Sequence, residues 1–224
     1  MVSSYSKIFE VLKKSCEIDW HQYIDHKFVK KLSDGSLSKG SFLKYLKQDY
    51  IFLYHFSRAW ALAIAKSNSI NEMRITSQVV NALINEEIKL HIEYCADNGI
   101  KYEDLIKTSE ASQNLAYTRY VLEAGYSGSF LDLIATLSPC VFGYGEIGLK
   151  LKESHTSSKY KKWIDTYSGA EYQNLCKTLG KMVDDSFFDR LGNNFERSGQ
   201  WQQILKHFKT ATNLEKDFWS VGFD

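Results

Sequence analysis

The sequence predicts an all-α fold, a single-domain helical bundle over residues 1–224. Three observations predict it. Apolar residues recur at spacings of three and four along most of the chain, and no period-two run bounded by turn residues survives. Polar residues suited to helix caps stand ahead of the apolar runs. There is one proline in 224 residues, and prolines gather in loops, so long loops are few. Hydrophobic residues make up 44%, an ordinary globular share. A chain of this length buries about 70% of its unfolded surface, enough for a core without disulfides. No internal repeat and no Pro/Gly/Ser-rich linker divides it.

The elements follow in order. Ile8, Leu12 and Cys16 predict a first helix running to about Tyr23. Ser33–Asp34–Gly35–Ser36 is a turn cluster. Ser38 caps a long helix through Phe42, Tyr45, Leu46, Asp49, Phe52, Leu53, Phe56 and Trp60. Ser69-x-x-Glu72 has the form of a capping box and opens a helix to about Ala96, closed by Asn98–Gly99. A helix from about Ser112 stops at Gly125, and Ser129 opens the next, with Phe130, Leu133, Ile134 and Leu137 facing inward. Pro139 falls inside that pattern. Ser138 and Pro139 could begin a new helix. We favour one helix kinked at Pro139, because the apolar face continues through Val141, Tyr144 and Ile147. A loop near Ser154–Ser158 precedes a short helix holding Trp163. Ser168-x-x-Glu171 reads as a second capping box, opening a helix to about Phe188. The last helix runs from about Trp201 to Trp219, which makes seven or eight helices in all.

Composition excludes several functions. Lys plus Arg number 28 and Asp plus Glu 27, a formal charge of +1, so neither a nucleic-acid partner nor a polybasic membrane segment is expected. No apolar stretch is long enough to span a bilayer, and Met1–Glu10 lacks the apolar core of a signal peptide. The four cysteines, Cys16, Cys95, Cys140 and Cys176, lie far apart without metal-ligand spacing, which predicts free thiols in a reducing cytoplasm and no metal or other cofactor. Fourteen tyrosines exceed the needs of an apolar core, because each buried hydroxyl wants a partner.

Three segments carry candidate chemistry. Cys140 follows Pro139 and precedes Gly143, and Tyr144 projects from the same helix face four residues on. Most free cysteines are merely small buried hydrophobes. Here the proline, the glycine and the phenol make a cavity holding a thiol plausible. Asp49 shares a helix face with Tyr45, Phe52 and Leu53. A carboxylate on an inward face costs several kcal/mol unless partnered, so it either lies on a solvated face or meets a partner. Glu215 stands before Phe218–Trp219 and reads, alone, as a surface residue.

Further short motifs join these: His26–Lys27–Phe28–Val29, Gln48–Asp49 before aromatics, Ala116–Tyr117–Thr118, Pro139–Cys140 with Tyr144 and Glu146, Trp163 with Tyr167–Ser168–Gly169, and Glu215 with Phe218–Trp219. Each is unspecific. In this order and spacing, from about Trp20 to Trp219, they resemble the TenA family, the thiaminase II or aminopyrimidine aminohydrolases. The resemblance implies a haem-oxygenase-like helical bundle, commonly tetrameric. It implies hydrolysis of the C–N bond at the methylene of 4-amino-5-aminomethyl-2-methylpyrimidine, and of thiamin in some members, to give hydroxymethylpyrimidine. It implies Cys140 as nucleophile, Glu215 as proton donor and later base, and Asp49 as the acceptor that orients the pyrimidine. Tyr117, Tyr144 and Tyr167 are implied to supply hydroxyls around the ring and thiol. Phe52 stands where a relative carries Tyr; it can stack on the ring but offers no hydroxyl. His26–Lys27–Phe28 departs from the family's H-P-F at a place that looks structural.

The rivals are weaker. A di-iron oxidase of the same fold wants Glu-x-x-His pairs, whereas Glu87 and His91 are four apart. His21, His26, His55, His155 and His207 form no triad signature with Cys140, and Gly125–Tyr126–Ser127–Gly128 lacks the Lys of a phosphate loop. A non-catalytic protein that carries pyrimidines or regulates expression would keep the same pocket.

Overall fold

A computed structural model describes residues 4–223. The first three residues of the N-terminal segment read above, and Asp224, lie outside the described residues. The elements are α1 (Lys7–Ser15), α2 (Glu17–Ile24), α3 (Lys27–Asp34), α4 (Lys39–Lys66), α5 (Ile70–Ala82), a π turn (Leu83–Glu87), α6 (Ile88–Asp97), α7 (Tyr102–Ile106), α8 (Ser112–Ser127), α9 (Phe130–Ser154), α10 (Lys161–Ser168), α11 (Ala170–Leu191) and α12 (Trp201–Phe218). Two 3₁₀ turns, Phe195–Arg197 and Trp219–Gly222, complete the described residues, which contain no strand.

The all-α reading holds. The centre is α9, buried on nearly every side and packed against α12, α10, α8 and α11. A helix apolar all round belongs inside a bundle. By length and composition α9 alone among the described residues is apolar enough to cross a membrane, and 94% of its apolar window is covered by the other helices. It runs through Pro139 as one helix, as the continuous apolar face required. Gly143 admits a neighbour there: a Cβ at that position would lie 2.3 Å from Cε1 of Tyr23.

Local capping was readable where it is local. The Oγ atoms of Ser38, Ser69 and Ser129 accept the amides of Ser41, Glu72 and Asp132. At Ser129 the box is complete, with Asp132 returning a bond to the Ser129 amide. At Ser69 it is half a box, because the Glu72 carboxylate turns to the Asn68 amide, Ser186 and Arg190. At Ser168 no box forms: Ser168 ends α10, and Gly169 takes the N-cap of α11 without a side-chain bond.

Packing overrode the pattern elsewhere. The predicted first helix breaks at Cys16 (φ −135°, ψ 41°), so that α1 lies on α11 and α12 while α2 crosses α12 and α9. The turn cluster near Gly35 is preceded by α3, which buries Phe28, Val29 and Leu32 and ends at Gly35 with φ 77°. Gly125 does not stop α8. It lets α4 approach, since a Cβ there would lie 2.8 Å from Leu62 Cδ1. These short and divided elements bring the count to twelve α-helices among the described residues rather than seven or eight.

Candidate active site

A cavity of about 790 Å³ opens between the α5–π–α6 stretch and the α10–α11 junction and ends against α4 and α9. That volume suits a small-molecule pocket. Asp49, Phe52, Cys140, Tyr144 and Tyr167 all line it. Three helices, α4, α9 and α10, thus bring together five of the seven residues that the sequence singled out. The other two, Tyr117 on α8 and Glu215 on α12, do not line the cavity; both are buried close to the Cys140 thiol.

Cys140 is half-buried, whereas Cys16, Cys95 and Cys176 are buried. Burial pushes its thiol well above the usual range, and the charges of Glu215, Glu87 and Asp49 add to the rise. The resting Cys140 side chain is therefore a thiol that donates towards Glu215. Glu215 is 1% exposed, not a surface residue. Burial pushes its carboxyl up to about 8, with the Asp49 charge adding, against hydrogen bonds from Tyr117, Cys140 and Tyr23. The Tyr117 hydroxyl donates to Glu215 Oε1 at 2.8 Å. Tyr117 therefore orients the carboxyl rather than facing the cavity.

Asp49 is 3% exposed and well partnered. The Tyr45 hydroxyl donates to its Oδ2 at 2.9 Å, and His91 Nε2 lies 2.7 Å from the same oxygen. Tyr45 and Tyr144 hydroxyls meet at 3.2 Å. Tyr167 on α10 donates to Glu87 Oε1 at 3.0 Å, so it grips the opposite wall. Burial pushes the Glu87 carboxyl up to about 7, with the Asp49 charge adding and the His91 charge opposing. Phe52 stacks at 5.0 Å on Phe56 and lies tilted against Tyr117 at 4.9 Å and Phe218 at 5.5 Å. Glu146, another motif residue, is structural: it accepts from Lys13 and from Trp20 Nε1.

The sequence reading passed over His91, Glu87 and Tyr45 as site residues. The Glu87-x-x-x-His91 spacing was the available signal, weighed only as a failed metal pair. Both His91 ring nitrogens face protein acceptors, leaving neither as a metal ligand.

Comparison places this arrangement among known proteins. The model of the TENA/THI-4/PQQC family matches residues 14–224. An uncharacterised protein of Haemophilus influenzae is 36% identical over 220 residues, covering 97% of this chain and 99% of its own. The aminopyrimidine aminohydrolase of Halalkalibacterium halodurans is 35% identical over 208 residues, covering 92% of this chain and 90% of its own. The crystal structure of a TenA family transcription regulator from Silicibacter sp. is similar with a TM-score of 0.97 at 50% identity, covering 99% of both chains. The helical frame, the thiol-bearing cavity and these matches lead to one conclusion: the chain belongs to the TENA/THI-4/PQQC family and is a TenA protein.

Proposed function

We propose that the protein is an aminopyrimidine aminohydrolase of thiamin salvage. It hydrolyses the C–N bond at the methylene of 4-amino-5-aminomethyl-2-methylpyrimidine to give hydroxymethylpyrimidine and ammonia. The observation that carries the reading is the Cys140 thiol held beside the protonated Glu215 carboxyl, on a cavity that also presents Asp49. Direct displacement of an amine by water is slow because ammonia leaves poorly. Covalent catalysis divides that step. The pair first gives up one proton to solvent, leaving a thiolate beside the protonated Glu215. The thiolate sulfur then bonds to a pyrimidine ring carbon, and the ring electrons expel the amine from the methylene as Glu215 protonates it. Water then bonds to the exposed methylene and gives Glu215 its proton. The electron pair returns through the ring, the S–C bond breaks, and sulfur leaves as it arrived. Asp49 accepts from the 4-amino and ring-nitrogen edge, and Phe52, Tyr144 and Tyr167 enclose the ring.

The same reading takes residues 1–224 as one domain, the protein as a cytoplasmic homotetramer, and the small-molecule pyrimidine as its partner. A regulator that binds pyrimidines without turnover is the second reading, favoured by the description of the Silicibacter protein as a transcription regulator. Against it stands the cost of burying a thiol and a carboxyl together, which a carrier has no use for. Incubation with the aminomethyl-pyrimidine and, separately, with thiamin tests the proposal, reading ammonia and thiazole. Ammonia release supports hydrolysis. Tight pyrimidine binding with no product from either compound supports the carrier.

A further inference from the structure

His91 sits on α6, four residues after the last residue of the π turn, and its ring is committed on both sides. Nδ1 lies 2.8 Å from the carbonyl oxygen of Glu87, and Nε2 lies 2.7 Å from Asp49 Oδ2. A carbonyl oxygen can only accept, and a carboxylate oxygen held by a second donor, the Tyr45 hydroxyl, also accepts. Each ring nitrogen must therefore carry a proton, and the ring is an imidazolium. Both donors converge on Oδ2; among the described residues no hydrogen bond reaches Oδ1, and Asp49 lines the cavity. We propose that His91 is the positioning residue of this site: its imidazolium, fixed between the Glu87 carbonyl and Asp49, holds Asp49 as an acceptor and leaves Oδ1 alone to receive the ligand. The ligand's identity rests on the pyrimidine reading above; the state of His91 does not.

The surroundings agree with the geometry. The groups that face this pair are Tyr45 from α4, Glu87 from the π turn, Cys140 and Tyr144 from α9, Tyr167 from α10 and Glu215 from α12. His91 is the cation among them, set against three carboxyl groups and a thiol. Burial alone would lower its pKa, but the hydrogen bond and charge of Asp49, with Glu87 behind, hold it up to about 9. A buried carboxylate deprived of its cation takes up a proton instead.

Two arms test this. The wild-type protein labelled with ¹⁵N-histidine carries six histidines, and the one resonance lost in His91→Gln assigns His91. The account expects both ring nitrogens protonated at neutral pH, with titration near 9. A neutral single tautomer at neutral pH overturns it. The second arm measures binding of hydroxymethylpyrimidine. His91→Gln keeps a donor but no charge, so binding weakens about 10–100-fold. The variant also loses affinity more steeply than wild type as pH falls from about 8 to about 6. Glu87 and Glu215 titrate in both proteins, so the difference between the two curves is the quantity read. In an Asp49→Asn background, His91→Gln adds less than about twofold. A loss undiminished in that background, or wild-type affinity in His91→Gln, contradicts the proposal. Should wild type itself bind no pyrimidine, the functional reading fails and the labelled-histidine arm alone decides the state of His91.

Discussion

On the proposed mechanism the productive form of the Cys140–Glu215 pair carries one proton: sulfur deprotonated to attack, carboxyl protonated to donate. Burial raises both groups, so at pH 6 the pair holds two protons. We expect kcat/KM to rise with pH as the pair gives up its first proton, near 8, and to fall only where it gives up the second. A profile flat from about pH 6 to 9 contradicts this pairing. Asp49 and Glu215 separate by parameter. Asp49→Asn weakens ligand binding as well as turnover, by roughly 1.5–3 kcal/mol for a charge-assisted acceptor. Glu215→Gln leaves binding nearly intact and lowers the rate roughly 10²–10⁴-fold. Phe52 lines the cavity yet is packed on three other rings, so it belongs to site and core together. Phe52→Ala should lose roughly 1–3 kcal/mol of binding and up to about 3–5 kcal/mol of stability. Melts beside isotherms separate the two, and normal binding by the folded variant would remove Phe52 from the site. Asp49, Cys140 and Tyr144 were legible as candidates from helical spacing, which left the solvated face open for Asp49 and a plain core role open for Cys140. Glu215 was legible only through resemblance. His91 was not, since its meaning comes from a carboxylate 42 positions away.

At the scale of the element, the site depends on how closely helices approach. Gly148 on α9 carries one such contact, against the backbone of Tyr167. A Cβ there would lie 2.5 Å from the carbonyl carbon and 2.7 Å from the carbonyl oxygen of Tyr167, both backbone atoms that cannot rotate aside. Gly148→Ala must push α10 outward, and Tyr167 with it, off Glu87. Overpacking of this kind costs roughly 1–3 kcal/mol. A lowered Tm with a raised KM is the expected result, and a variant with unchanged Tm and KM would show α10 free to yield. The sequence offered no sign of this contact, because a glycine inside a helix reads only as a weak helix former. Caps at Ser38, Ser69 and Ser129 were legible because an Oγ and an amide three residues on are neighbours in sequence. The break at Cys16, the helix α3 and the π turn before His91 were not, because each answers to a distant partner.

Over the whole molecule, the buried acids set a cost that grows with pH. Glu87 near 7 and Glu215 near 8 stand above the ordinary carboxyl value of about 4.3, and His91 near 9 stands above the ordinary imidazole value of about 6.5. For a raised pKa the folded state holds the proton more tightly. The stability this lends is complete below the ordinary value and is lost as pH rises through the folded one. Tm should therefore fall between about pH 5 and 9, and Glu215→Gln should melt higher than wild type at the alkaline end while matching it near pH 5. Equal slopes for the two proteins would remove Glu215 from that account. The all-α class was legible because period and proline content are properties of the whole chain, whereas the burial that makes these acids costly exists only after folding. The central claim is that the Cys140 sulfur carries the pyrimidine through the reaction. Ammonia release from the aminomethyl-pyrimidine by Cys140→Ser, measured beside its binding of hydroxymethylpyrimidine, tests it most directly. The account predicts no ammonia above the uncatalysed rate from a protein that binds hydroxymethylpyrimidine as wild type does; ammonia release by Cys140→Ser within about tenfold of wild type would contradict it.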